Sequence, residues 1–399
     1  MIFAVLGGLL SLADVERAAL ARAPLVVQAR AVVSERAALL DAARGTGLPQ
    51  AFATYAQAPQ GGASETIVQR MTTAGLQFSI GDAAARSPAV AQASFEDLAA
   101  RADELAAERV ERVKAASLYF DAMRARDIFA LRQTIVRSGR ADVRAARLRF
   151  AAGDAPRLDV VRADVALAQA QADLATARAD DANARHALAV EIGRDDATLA
   201  LPDLGTLPLT AAIPASPEAA VAIALAHRPE VASARAGVWA EQAAVRGARR
   251  ATLPGISAQL GWSRGIDSGI AVSGPSAIVT LNVPLSHAAA ARADAERARL
   301  AQAQARFDAQ AQNVDVEVSS ALRTYLGAVD SAAAASRARA EAMTEVSATE
   351  EGYRNGASSS LDVDDARRAY AQAAVNATVA SAAAREAAAI LAITMGISP

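Results

Sequence analysis

The sequence predicts a mainly α-helical fold with a small β part, in which long coiled-coil hairpins and β-hairpins each occur twice. Three observations predict it. The chain repeats itself: Ser11, Leu20, Pro24, Leu48 and Pro49 recur 205 positions later as Ser216, Leu225, Pro229, Leu253 and Pro254. Phe150, Gly153, Asp159, Leu188 and Gly193 recur 203 positions later as Tyr353, Gly356, Asp362, Leu391 and Gly396. A tandem copy of this length points to one structural unit duplicated. Long proline-free stretches with a seven-residue apolar repeat supply the helical hairpins, and two matched segments of strict alternation supply the strands.

The order of elements follows from local chemistry. From Ser11 to about Arg44 the pattern is helical, with Ser11 placed to cap a first turn that carries Asp14 and Glu16. Ser216, Pro217 and Glu218 open the second copy in the same way, and that helix is expected to run to about Arg250 across Pro229. Just past Leu253-Pro254 the period changes to two. Ile256, Ala258, Leu260 and Trp262 alternate with Ser257, Gln259, Gly261 and Ser263, the pattern of a strand with one face toward lipid. Ala277, Val279, Leu281 and Val283 alternate with Thr280 and Asn282 on the return, and the Gly/Ser-rich stretch from Arg264 to Pro275 reads as the loop between. In the first copy Leu76, Phe78 and Ile80 alternate with Gln77 and Ser79, while the outgoing strand, 51–56, rests on the analogy.

Each hairpin leads into a long helical stretch, Pro88 to Arg149 and Ala288 to Glu351, each roughly 90 to 100 Å at 1.5 Å per residue. A glycine-containing turn then sends the chain back through Asp159–Ile192 or Asp362–Met395, of roughly 50 Å. Val160, Leu167, Leu174 and Leu188 fall on every seventh position of the first return helix, with Ala163, Ala170, Ala177 and Ala184 at the other seam position and Asp181 as the interruption. The second copy offers Val363, Tyr370, Ala377, Ala384 and Leu391 with Ala366, Ala373, Ala380 and Ala387. Alanine at half the knobs permits close helix approach.

Composition excludes several classes. Net charge is −2, and the arginines are spread among acidic residues rather than gathered, so no nucleic-acid partner is expected. With no cysteine there are no disulfides, thiolate metal sites or lipidated N-terminal cysteine. Hydrophobic residues are 53% but aromatics only 4%, which suits thin, alanine-packed helices. Residues 1–10 read as the apolar part of a secretory signal without its basic start. Beyond them no run of about 18 uncharged apolar residues appears, so a membrane crossing would use strands. The resulting division is residues 1–10 signal-like, 11–195 first repeat with a β-hairpin at 48–80, 196–215 linker, and 216–399 second repeat with a β-hairpin at 253–284.

Four amphipathic strands cannot close a barrel through lipid, since the smallest such barrels have about eight and open edges leave backbone groups unsatisfied. Several chains must share one barrel: two would give eight strands, three twelve and four sixteen.

The segments RFAAGDAPRLDVVRADVA from Arg149 and GYRNGASSSLDVDDA from Gly352, each followed by an alanine-rich helix ending in Gly193 or Gly396, resemble the TolC family of bacterial outer-membrane efflux proteins over nearly the whole chain. The resemblance implies a homotrimer with a shared twelve-stranded transmembrane β-barrel in outer-membrane lipid and α-helical tunnel in the periplasm. The implied function is that of a passive export conduit of a tripartite efflux system, docked to a periplasmic adaptor (membrane fusion) protein and an inner-membrane pump of RND, ABC or MFS type. It further implies a pore gate at Asp362 and Asp365, which share a helix face, and inter-hairpin contacts through Asp159 and Tyr353. Adaptor-contact turns would lie at Gly153 and Gly356. Ser358 stands where the family's best-described entrance has an arginine, which removes one expected tie.

Two other classes compete. Asp362, Asp364 and Asp365 could in principle hold Mg²⁺ in an enzyme, but His186, His227 and His287 are far apart in sequence and no phosphate loop or nucleophile signature appears. No enzyme activity and no cofactor are therefore expected. A structural coiled-coil adaptor of a secretion system would share the helical hairpins but lack lipid-facing strands, and Tyr55, Phe78 and Trp262 near strand positions favour a barrel. The cargo leaves no signature.

Overall fold

The computed structural model describes residues 9–60, 67–196, 199–206, 214, 216–267, 270–283 and 287–397. Most of the signal-like segment and part of the linker lie outside the described residues. Leu10, at the end of that segment, is buried and its N–H donates to the Ala200 carbonyl at 2.7 Å.

The helix expected from Ser11 to Arg44 is two helices, α1 (Leu12–Leu20) and α2 (Pro24–Gly45). Its counterpart is likewise two, α5 (Pro217–His227) and α6 (Pro229–Arg250). Proline explains both breaks: it lacks an N–H, clashes with the preceding turn and pushes the residue before it out of the helical region. Arg228 accordingly has ψ 127°. The same proline is favourable as the first residue of the next helix. Ser11 caps α1 in a reciprocal box with Asp14, and Ser216 caps α5 by accepting from the Ala219 N–H at 3.2 Å.

The strands β1 (Gln50–Gln60), β2 (Ile67–Ser79), β3 (Gly255–Asp267) and β4 (Ile270–Asn282) form one antiparallel sheet in the order β1-β2-β3-β4. The two repeats meet at its centre, where β2 pairs with β3, Leu76 opposite Leu260. The expected loop from Arg264 to Pro275 is instead mostly strand, with Gly274 opposite Ser263 and Pro275 opposite Trp262. Proline is tolerated in a ladder at an edge, and both strand prolines, Pro59 and Pro275, sit on the edge strands β1 and β4.

The sheet has two unlike faces. Leu76, Leu260, Val279 and Leu281 stand on one and are more than half exposed. The other carries polar pairs where β2 meets β3: the Gln259 amide donates to Gln77 at 3.2 Å, and the hydroxyls of Thr73 and Ser263 share a hydrogen bond at 2.8 Å, while Ile270, Val272 and Ile278 of β4 stand on the same face. Gly261 lies on this face, and a Cβ there would come within 2.6 Å of the Ala74 carbonyl oxygen. Glycine therefore lets β2 and β3 curl toward that side.

The long helices are α3 (Ile80–Ala152, 73 residues) and α7 (Ala288–Arg354, 67 residues), with return helices α4 (Arg157–Ile192) and α8 (Ser360–Thr394). α3 starts ahead of Pro88, which thus lies inside it rather than at its start. Pro88 leaves the Ala84 carbonyl without its helical partner, and the Arg250 guanidinium donates to that oxygen at 2.5 Å. In α4 and α8 every seam position named from the heptads is buried or half-buried; Asp181, the interruption, is tied to Arg185 at 2.8 Å.

The described chain divides into two compact units, and each draws on both repeats. One comprises residues up to Gln28, Leu105–Arg228 and those from Gln312; the other comprises Ala29–Glu104 and Pro229–Ala311. The first has a core of Val15, Tyr119, Met123, Leu188, Leu204 and Ala389, among others, and the Tyr119 hydroxyl donates to the Leu10 carbonyl at 3.0 Å. In the second, Phe95 packs against Trp239 with ring centroids 5.5 Å apart. Among the described residues one helix, α8, is long and apolar enough to cross a membrane by length and composition, and 56% of its most apolar window is buried. That burial is what the alanine seam of a packed helix requires.

Candidate functional site

The ends of α3 and α7 and the starts of α4 and α8 carry the residues singled out in the sequence, all within the first unit. Both turns close alike. The Gly153 N–H donates to Phe150 and the Asp154 N–H to Arg149, at 3.1 and 2.9 Å; the Gly356 N–H donates to Tyr353 and the Ala357 N–H to Gly352, at 3.2 and 2.8 Å. Such closures need a left-handed residue after the helix, and Gly153 (φ 82°) and Gly356 (φ 74°) supply it. Around each glycine the space for a side chain is open, so backbone conformation alone selects the residue.

Asp362 serves as the cap partner of α8. Its Oδ2 accepts from the Ser359 N–H at 2.7 Å and from the Ser359 hydroxyl at 2.8 Å, and its own N–H donates back to that hydroxyl at 3.2 Å. The Ser359 backbone and hydroxyl hydrogen bonds hold its carboxyl below the ordinary range, so the cap is lost only as pH falls through that lowered value. Asp365, one turn on, is exposed and pairs with Arg368. Asp364 faces inward, and burial pushes its carboxyl up; the sign is opposite, since stability falls as pH rises and its charge forms. The three aspartates therefore diverge, and among the described residues no group of three His, Cys, Asp or Glu side chains is placed to hold a metal ion.

Asp159, in the first turn of α4, accepts from the Ser360 hydroxyl at 2.9 Å, which ties α4 to the start of α8 across the two repeats. The Tyr353 ring lies beneath the Arg149 guanidinium, 4.9 Å from its carbon to the ring centroid, a cation–π contact. Both residues line one cavity of about 190 Å³, together with Asp142, Asp364 and Arg367.

Arg367 was not singled out by the sequence, yet it is the hub. It reaches Asp142 on α3 at 2.5 Å and Glu350 on α7 at 2.6 Å. Partial burial works against its charge, but the hydrogen bonds to Glu350 and Asp142 outweigh this and raise its pKa. A signal for it was present in the repeat register. Glu350 and Arg367 are equivalent to Arg147 and Asp164, which pair at 3.0 Å across the first turn with the signs reversed. Asp142 and Ser360 carry no such sequence signal, because their partners come from the other repeat.

A family model described as outer membrane efflux protein matches residues 16–194 and 220–396, which is most of both repeats. The outer membrane efflux protein BepC of Brucella suis biovar 1 is 34% identical over 163 residues, 39% of this chain; the match spans about a third of that relative's length, 34%. Among solved structures, a membrane protein from Pseudomonas aeruginosa superposes with TM-score 0.81 at 22% identity, covering 97% of this chain and 90% of its own. The open state of the MtrE outer membrane channel of Neisseria gonorrhoeae gives TM-score 0.79 at 22% identity, over 97% and 89%. CusC gives TM-score 0.81 at 20% identity, over 97% and 92%. The structural likenesses establish the fold, and the sequence match extends to both repeats. This chain belongs to the outer membrane efflux protein family.

Proposed function

We propose that this chain is one subunit of a homotrimeric outer-membrane channel, the exit conduit of a tripartite efflux system. The observation that carries the reading is the sheet: four antiparallel strands with an apolar exposed face, an opposite face whose central β2-β3 pairs are polar, and two open edges, β1 and β4. In hydrocarbon an open edge leaves N–H and C=O groups without partners at several kcal/mol each, so β1 of one subunit must pair with β4 of the next. Three copies make twelve strands, with the face of Gln77, Gln259, Thr73 and Ser263 lining the lumen. The units duplicated are residues 11–195 and 216–399, the helices stand in the periplasm, and transport through the conduit is passive. MtrE is an outer membrane channel by name, and CusC undergoes transmembrane channel formation; the same role fits this chain. An adaptor would meet the turns at Gly153 and Gly356, with an inner-membrane pump of RND, ABC or MFS type behind it.

The gate belongs to this reading. Asp362 and Asp365 from three subunits would ring the entrance with six carboxylates and favour cations, while Asp159 and Tyr353 hold neighbouring hairpins together. Because Asp362 also caps α8, the informative change keeps the cap and removes the charge, as asparagine does. In planar bilayers the purified protein is expected to conduct with cation preference, and Asp362→Asn with Asp365→Asn is expected to reduce that preference and raise conductance. Unchanged selectivity would reject the gate, and a monodisperse folded monomer by light scattering would reject the channel.

A further inference from the structure

We propose that Arg70 and Arg264 form a binding site for phosphorylated lipid headgroups on the apolar face of the sheet, beside its hairpin ends. The cross-strand register sets their surroundings. Arg264 on β3 lies opposite Thr72 on β2 and Ser273 on β4, and Arg70 on β2 lies opposite Ile266 on β3 and Gln57 on β1. The two arginines are thus diagonal neighbours on one face, with backbones about 7 to 8 Å apart, near enough for both guanidiniums to donate to one phosphate. Both are exposed. Among the described residues neither is engaged by a carboxylate, in contrast to Arg30, Arg36, Arg126 and Arg367 elsewhere in the chain.

Their height on the sheet identifies the ligand. All four strand ends that lead into helices, at Gln50, Ser79, Gly255 and Asn282, lie at one end of the ladder, and the arginines lie toward the other. Between Ile256 and Arg264 this face of β3 carries Ala258, Leu260 and Trp262. Those eight residue steps span about 27 Å along the strand, or roughly 20 Å of height at a barrel tilt of 35–45°, close to the apolar band of such barrels. The arginines therefore stand where hydrocarbon gives way to headgroups. Tyr55 shares the row of Thr72 and Arg264, and the indole N–H of Trp262 donates to Ser273 at 2.9 Å, placing amphipathic rings at the same boundary. An arginine on a lipid-facing surface at that level extends its charge to the interface, where the available anion is a lipid phosphate.

The inference rests on the channel reading, in which this face meets lipid. The test uses the full-length oligomer in vesicles of phosphatidylcholine containing either lipid A or its dephosphorylated form, with protein-retained lipid counted by native mass spectrometry. Wild type is expected to retain lipid A about tenfold over the dephosphorylated form, R70Q/R264Q to lose that preference, and R70K/R264K to keep part of it. Equal retention of the two lipids by wild type would overturn the inference, and that comparison decides alone if R70Q/R264Q does not assemble. Equal preference in wild type and R70Q/R264Q would also overturn it, as would displacement of lipid A by millimolar inorganic phosphate, which would assign the site to a soluble anion. Wild-type protein that neither inserts nor conducts would fail the channel reading itself, and this inference with it.

Discussion

A guanidinium shared between carboxylates on two other helices is hard to replace, because its removal leaves both acids without their counter-charge. Arg367 is in that position, one-third exposed, with Asp142 and Glu350 as partners. Exposed ion pairs are worth about 0–1 kcal/mol and breaking a buried one costs about 3–5; a partly buried hub falls between. Arg367→Ala is expected to lower stability by about 1–2 kcal/mol, read as a drop in thermal midpoint at fixed protein concentration. The repeats supply their own control. The equivalent pair, Arg147 with Asp164, holds the opposite signs, so Glu350→Arg combined with Arg367→Glu is expected to recover part of the loss. A double variant no more stable than the worse single would show that the two positions do not couple. Cohesion through Arg367 also bears on Ser358, which stands where the resemblance leads one to expect an arginine: in this chain a guanidinium nine residues later binds the hairpin ends instead.

The elements were legible wherever periodicity or a matched copy marked them, and their limits were not. The heptad seam of α4 and α8 and the alternation of β3 needed only sequence. The length of the strands did not show, because Gly274, Pro275 and Ser276 carry loop chemistry in water, whereas in a ladder their backbones pair regardless and an edge position excuses the proline. The breaks at Pro24 and Pro229 were masked by helical pattern on both sides, and the continuation through Pro88 depends on Arg250, a partner more than 160 residues away. The gate proposed at Asp362 and Asp365 rests on the resemblance, since Asp362 has a complete local explanation in the cap of α8. Strand faces give the sharpest element-scale test, because cost should follow depth. Leu260 stands midway along the apolar face and Leu281 at its helix-joined end. Leu260→Arg is expected to cost about 2–4 kcal/mol and deplete assembled protein in outer-membrane fractions, whereas Leu281→Arg should cost about 0–1. Equal effects at the two positions would remove this face from lipid.

At the scale of the whole molecule, duplication of sequence has not produced two independent halves. Each compact unit takes segments from both repeats. In the first, Tyr119 and Leu188 from one copy share a core with Ala382 and Ala389 from the other; in the second, the sheet's central pairing is β2 with β3, one strand from each. A half expressed alone would keep its helices' local propensity but lose the partner surface that buries their alanine seams, and isolated helices gain most of their stability from such packing. It would also hold a two-stranded hairpin with an extra open edge, which is marginal on its own. Separately produced halves, cut within residues 207–213, are therefore expected to show no cooperative thermal unfolding, although helix content can remain. Produced together they should associate and regain a single transition, since the cut falls outside every helix and strand described. A half that unfolds cooperatively by itself would mean that each repeat is a self-sufficient domain, and the interleaving of the two copies would then be a matter of arrangement rather than of stability.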